Sequence, residues 1–308
     1  MSHFTVLVVG NDPGEQLKPF QENNMGDCPS EFMKFNDKED EIIKEYNKGK
    51  DSDGPFNVQY SSLEEFVEDY HGYSERDEHK NRYGHWENPN AKWDWYQLGG
   101  RWTGFFQMKK NKYGNIGSAG LMTEVAIKGT ADQAFKKDID FDGMRKLSAQ
   151  KASDTYKMIE DEFEGIIPKL TLRWEDVMDD KNETYNKLDI QSKRDMYHTQ
   201  PTMVDWKSRA DKYQASSKID KYFEELHSIL NYCSLTDFEM SKEEYIQKRV
   251  DSSISTFAVL MDGKWYEKGK IGWWAVVSDE KGDWAKEYSK LLDSVSDDTL
   301  LSVYDCHI

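Results

Sequence analysis

The sequence predicts an α+β fold, with a mixed or antiparallel sheet built from the N- and C-terminal segments and a helical middle region. Two observations carry this expectation. β-Branched and aromatic runs lie at both ends of the chain, and residues 130–250 contain few glycines and place apolar residues at helical spacing. On this pattern residues 1–129 and 251–308 form an α+β sheet domain, and residues 130–250 a helical region.

Taken in order, HFTVLVVG from His3 to Gly10 reads as a strand, and Asp12, Pro13 and Gly14 supply turn chemistry. Over residues 30–46, Phe32, Phe35, Ile42, Ile43 and Tyr46 fall loosely at helical spacing, with Gly49 at a stop position. Ser62 and Glu65 fit a capping box. Leu63, Phe66, Val67 and Tyr70 then repeat at i, i+3, i+4 and i+7 before Gly72. Within residues 93–112 the Gly99–Gly100 pair reads as a tight turn. RWTGFFQM after it reads as a strand, with Trp102, Gly104 and Phe106 on one face.

Thr130 with Gln133 suggests a helix cap. Tyr156, Ile159, Phe163 and Ile167 form one apolar stripe, Ile219, Tyr222, Phe223, Leu226, Ile229 and Leu230 a second, and Ser241 with Glu244 opens a further helix. STFAVLM, Asp262–Gly263 and KWYEKGK read as strand, type I′ turn and strand, followed by IGWWAVVS as another strand. Trp284, Tyr288, Leu291, Leu292 and Val295 share a helix face, and LLSVYDCHI is a last strand.

Composition narrows the function classes. The chain has 308 residues, enough for one large domain or two smaller ones, and 13% of them are aromatic, which argues for a folded core. Its formal charge of −17 disfavours general binding of nucleic acid or of an anionic membrane surface. There is no apolar run of the roughly 18 residues that span a bilayer, and the N-terminus lacks the pattern of a signal peptide. Three widely spaced cysteines, Cys28, Cys233 and Cys306, do not form a disulfide framework, so a reducing, cytoplasmic setting is expected. Charge is uneven along the chain: residues 31–80 hold 15 acids against 7 bases, whereas residues 81–128 hold 7 bases against 3 acids.

Several motifs suggest chemistry. Asp138, Asp140 and Asp142 with Gly143 imitate the start of a calcium loop, but Ala149 stands where the bidentate Glu is needed, so an acidic turn beside a helix fits better. His71, His79 and His85 lie near one another at spacings that match neither a helical pair nor a zinc finger. The serine in GSAG lacks the first glycine of a nucleophile elbow, and there is neither a P-loop nor a GxGxxG. No metal and no cofactor is therefore expected, and no catalytic residue is assigned.

The sharpest feature is the basic aromatic block. Trp93, Trp95, Tyr96, Arg101 and Trp102, with Phe105, form a candidate ligand- or partner-binding surface, with Lys109, Lys110 and Lys112 available for phosphate. Large aromatics are mostly buried, however. The competing reading makes the block core strand and turn, with Arg101 paired to Asp94 or stacked on a Trp. A protein interface is a third reading, since Trp, Tyr and Arg are common hot-spot residues. The acidic face is either solvated surface or a recognition surface for a basic partner.

The segments MSHFTVLVVGNDPGEQLKPFQENN, KWDWYQLGGRWTGFF, ADQAFKKDIDFDGMR, DGKWYEKGKIGWW and DTLLSVYDCHI resemble a family of bacteriophage-encoded proteins, and among these the Gabija anti-defence proteins. Residues 31–80 and 150–250 lie outside the resemblance. It implies a non-enzymatic inhibitor in the host cell cytoplasm. Such a protein binds a host nuclease-helicase complex as a homo-oligomer and blocks DNA binding and cleavage by protein–protein contact, without touching nucleic acid or membrane. The alternative is a phage nucleotide- or nucleic-acid-binding enzyme whose pocket uses the Trp93 to Phe105 block.

Overall fold

A computed structural model describes residues 2–50, 60–72, 76–78, 80–120, 128–179, 181–214, 220–271 and 277–308. Its architecture is α+β, in two compact units: residues 1–139 with 256–308, and residues 140–255.

The first unit opens with β1 (His3–Val9), buried along six of its seven residues. Asp12, at φ 54°, turns the chain into α1 (Pro13–Leu17), where Pro13 occupies a first-turn position whose N–H has no helical partner. The helix expected over residues 30–46 is shorter than its spacing suggests. Residues 30–32 form one 3-10 turn, residues 34–37 form β2 (Lys34–Asp37), and the α-helix is confined to α2 (Glu39–Lys50). α3 (Leu63–Phe66) continues as a π turn through His71, Ser62 Oγ accepts from the Glu65 N–H at 3.1 Å, and Gly72 ends the segment at φ 72°. β2 pairs antiparallel with β3 (Gly84–Glu87), Phe35 opposite Trp86 with ring centroids 5.7 Å apart. That cross-strand aromatic pair prevails over a loose helical period.

β4 (Trp95–Gly100), β5 (Phe106–Gln107), β6 (Ser118–Ala119), β7 (Thr130–Ala131) and β8 (Gln133–Phe135) follow. Here two expectations fail. Gly99 and Gly100 end a strand, and the turn is residues 101–104, so Trp102 and Gly104 are not strand residues. Thr130 and Gln133 begin strands and cap no helix, because Ala131 and Ala134 are buried by pairing with neighbouring strands. Thr130–Ile139 therefore lies with the sheet.

The second unit consists of α4 (Phe141–Glu162), α5 (Trp174–Met178), α6 (Ile190–Thr199), α7 (Pro201–Gln214), α8 (Lys221–Tyr232) and α9 (Lys242–Ser252). Asp140, Asp189, Asp220 and Ser241 each accept a backbone N–H at a helix start, and Ser241 with Glu244 closes the full capping box. Tyr156, Ile159 and Phe163 meet Trp206, Leu226 and Tyr245 in one apolar core. Phe163 stacks on Trp206 at 5.7 Å, and the Arg209 guanidinium lies over the Phe163 ring while pairing with Glu162 at 2.9 Å. Ile219 of the expected stripe lies outside the described residues.

The chain then returns to the first unit. β9 (Ala258–Met261) and β10 (Lys264–Glu267) form the hairpin that Asp262–Gly263 predicts, both turn residues having positive φ. β11 (Lys270–Ile271) pairs with β12 (Val277–Ser278). Trp273 and Trp274 of the expected strand between them lie outside the described residues. α10 (Trp284–Ser294) buries Trp284, Tyr288 and Leu292, and β13 (Leu300–His307) is the last element.

The main sheet runs β10-β9-β1-β13-β4-β6, with β8 also on β13. It is mixed: β1 runs parallel to β9 and antiparallel to β13. One face carries Phe4, Val6, Val8, Leu260, Tyr304 and Cys306, packed with Leu17, Phe20 and Trp93. The acid-rich segment has its own small core of Ile42, Phe66, Val67 and Tyr83.

Within that lobe, burial raises the Glu39 carboxyl. Hydrogen bonds from Arg76 and the Tyr83 N–H more than offset it, so Glu39 titrates below its ordinary value. A carboxylate with a depressed folded pKa stabilises above its unfolded pKa and loses that contribution as pH falls through the folded value. Thermal melts from pH 6 to 3 should therefore show stability falling below about pH 4.5, with a shallower fall in Glu39→Gln. In the helical unit, Leu226→Ala at a fully buried position should cost about 2–5 kcal/mol in urea denaturation, whereas Tyr232→Ala, at an 85% exposed residue, should change stability by less than about 0.5 kcal/mol.

Candidate functional site

β13 changes partners along one edge. Its first half, Leu300–Ser302, pairs with β8, and its second half, Tyr304–His307, pairs with β4. Asp132 sits at the handover, its carbonyl accepting the Val303 N–H at 2.8 Å. The Asp132 side chain is fully buried. Its Oδ1 accepts the N–H groups of Gly104 and Phe105 at 2.6 and 3.1 Å, and its Oδ2 accepts Gly117 N–H and Thr103 Oγ1–H at 2.8 and 3.0 Å. Among the described residues no cation pairs with it, so four hydrogen bonds stabilise this buried charge.

A second buried carboxylate, Asp305 on β13, accepts the Arg101 N–H at 2.9 Å. The two acids explain the Gly–Gly pair. Gly99 and Gly100 have φ of 74° and 56°, and a Cβ on either would lie 2.4 Å from the carboxylate oxygen of Asp132 or Asp305 respectively. Only glycine admits both the backbone conformation and the approach. The turn at residues 101–104 is thus held from below by two acids distant in sequence.

Beside this turn, cross-strand register places His3, His307 and Trp95 in one row on β1, β13 and β4. His3 Nδ1 lies 2.8 Å from Asp305 Oδ1, and His307 Nδ1 lies 2.6 Å from Asp94 Oδ1. Both carboxylates are themselves held, Asp305 by the Arg101 N–H and Asp94 by Asn24 Nδ2 at 3.1 Å. The imidazole centroids are 5.0 Å apart, and Trp95 stands 6.1 Å from His3. His307 Nε2 is shielded from solvent and has no hydrogen-bond partner. Glu22 belongs to the same neighbourhood: burial and Asp94 raise its carboxyl above the ordinary value, and His307 lowers it.

The residues singled out in the sequence separate into two groups. Trp93 is 4% exposed, with its indole N–H donating to the Leu17 carbonyl, and Tyr96 packs edge-on against it at 4.7 Å, so both serve the core face. Trp95 is 45% exposed, Arg101 is exposed and Trp102 is half-buried in the turn. Arg101 does not pair with Asp94 as expected, because His307 takes that carboxylate. The sequence reading passes over His3, His307 and Asp305, and takes Asp94 only as a partner for Arg101. His3 lies near one end of the chain and Asp305 and His307 near the other, and only the strand register brings them together.

The other clusters disperse. Asp138 pairs with Lys112 at 2.8 Å, Asp140 caps α4 and Asp142 is exposed. His71 pairs with Glu45 and His85 with Glu87, and His79 lies outside the described residues. Burial raises the thiols of Cys28, Cys233 and Cys306, which disfavours their use as nucleophiles. On the opposite sheet face, a cavity of about 230 Å³ beside Phe4 and Trp265 has its polar groups paired, Lys92 and the Trp265 indole both on Glu267 and Lys270 on Asp279. No group of three or more His, Cys, Asp or Glu among the described residues is placed to hold one ion.

No protein-family model, curated protein or solved structure matches the chain.

Asp132→Ala would strip the acceptor from three half-buried N–H groups and a hydroxyl, at up to about 1–3 kcal/mol each. A loss of more than about 3 kcal/mol in chemical denaturation is expected. Trp93→Ala should cost about 3–5 kcal/mol, while Trp95→Ala should remain folded with a near-wild-type midpoint.

Proposed function

We propose that the protein acts by occupancy. It binds a host nuclease-helicase complex of the Gabija type in the host cell cytoplasm, assembling there as a homo-oligomer, and blocks DNA binding and cleavage. The observation that supports this reading is the acid-rich lobe. Asp40, Glu41, Glu64, Glu65, Glu68 and Glu78 are exposed on a small substructure with its own core, in a chain of formal charge −17. A surface of this kind is complementary to the basic face on which a nuclease handles DNA, and such complementarity speeds encounter and selects partners.

A second reading rests on the exposure of Trp95 and Arg101 beside the two histidines: a nucleotide- or nucleic-acid-binding enzyme whose ligand stacks on Trp95. It requires Trp95→Ala or Arg101→Ala to abolish ligand binding in a folded protein.

Light scattering after size exclusion, on the protein alone and mixed with a purified Gabija complex, tests the first reading. One large stoichiometric species with loss of DNA cleavage is expected. Glu64→Lys with Glu68→Lys should slow association about tenfold or more at low salt and less at high salt. Unimpaired cleavage at excess protein would overturn the proposal for this target.

A further inference from the structure

We propose that the cavity beside Phe4 and Trp265 is a binding site for a small neutral aromatic compound of one ring or two fused rings. This goes beyond the inhibitor reading and does not depend on it.

The walls are aromatic and fixed. Phe257 and Trp265 both stand edge-on to Phe4, with ring centroids 5.5 and 6.5 Å away at interplanar angles of 66° and 74°. Phe20 packs against the Trp265 ring at 5.1 Å, and the Trp265 indole N–H donates to Glu267 at 2.8 Å, so this wall is in place before a guest arrives. Ala91, Ile271 and Ile308 complete the apolar lining, and the exposed Lys270 and Ile308 mark the side open to solvent. Rings set steeply to one another let a flat guest stack on one face and meet the edges of the others, the two arrangements that aromatic pairs prefer.

Size limits the guest. An apolar cavity of about 150 Å³ accepts benzene. This one, at about 230 Å³, has room for a second fused ring. It falls short of the roughly 300–1,000 Å³ of sites for larger ligands, which argues against a nucleotide.

Charge decides against an ion. Lys92 lies on Glu267 at 2.9 Å and Lys270 on Asp279 at 2.7 Å, so the charged side chains of the lining already have partners. A charged guest gains a partner here only by breaking one of these pairs. Water in the cavity likewise finds few free side-chain groups to bond, and an apolar guest displaces it at little cost.

The test titrates the full chain with indole, followed by calorimetry and by nuclear Overhauser contacts in NMR spectra. One equivalent should bind saturably, with contacts from the indole protons to the methyl groups of Ile271 and Ile308. Ala91→Phe, which adds a ring to the lining, should weaken binding at least about tenfold. Tyr113→Ala, at an 85% exposed aromatic residue outside the cavity, should bind as the wild type does. Indole-3-acetate and tryptamine, which add a charge of either sign to the same ring, should bind no more tightly than indole. Circular dichroism establishes that each variant is folded, and the wild-type contacts decide the outcome if Ala91→Phe is not. Absence of saturable binding, contacts away from the cavity, undiminished binding in folded Ala91→Phe, or a charged compound bound more tightly than indole would overturn the assignment.

Discussion

A buried carboxylate that pairs with no cation among the described residues organises the sheet of the first unit. Asp132 lies where β13 exchanges β8 for β4, and a strand that changes partner leaves backbone groups at the seam without ladder partners. The Asp132 side chain supplies the missing acceptor for Gly104, Phe105 and Gly117, while its main chain continues the ladder to Val303. Removing a charge from water is costly, and here four donors offset the cost. The Gly–Gly strand end, the Arg101 turn and the route of the chain past residues 114–119 all follow from that seam.

Much of the fold was visible in the sequence wherever one local signal agreed with burial. The β1 run, the Asp–Gly hairpin, the Ser241 box and the α10 stripe are all cases in which propensity, capping and core face coincide. The failures share a cause as well. Over residues 34–37 and 130–135 the local pattern was ambiguous, and strand partners distant in sequence decided the outcome. The GG dipeptide misled for a subtler reason: it reports close approach by side chains from residues 132 and 305, which no local window contains.

The candidate site was legible only in part. Aromatic density drew attention to residues 93–105, and Trp95 and Arg101 do lie beside the histidine row. Burial then separates Trp93 from Trp95, two positions apart, because they meet opposite surroundings. His3 looked like an ordinary residue of an N-terminal strand and His307 like one of a C-terminal strand. Their pairing is a property of register, and a one-residue slip would have placed them on opposite faces.

The same pairing sets an order of events for the growing chain. His3 and Asp305 are 302 residues apart, yet β1 is the strand on which β9 and β13 assemble. While it emerges from the ribosome, β1 is an apolar ribbon without strand partners, and it stays so until synthesis has passed the helical unit. That unit, continuous from residue 140 to 255, can form its core earlier from its own contacts. The sheet is then a late assembly, and the interval before β13 arrives is when β1 is most exposed to chaperones and to aggregation.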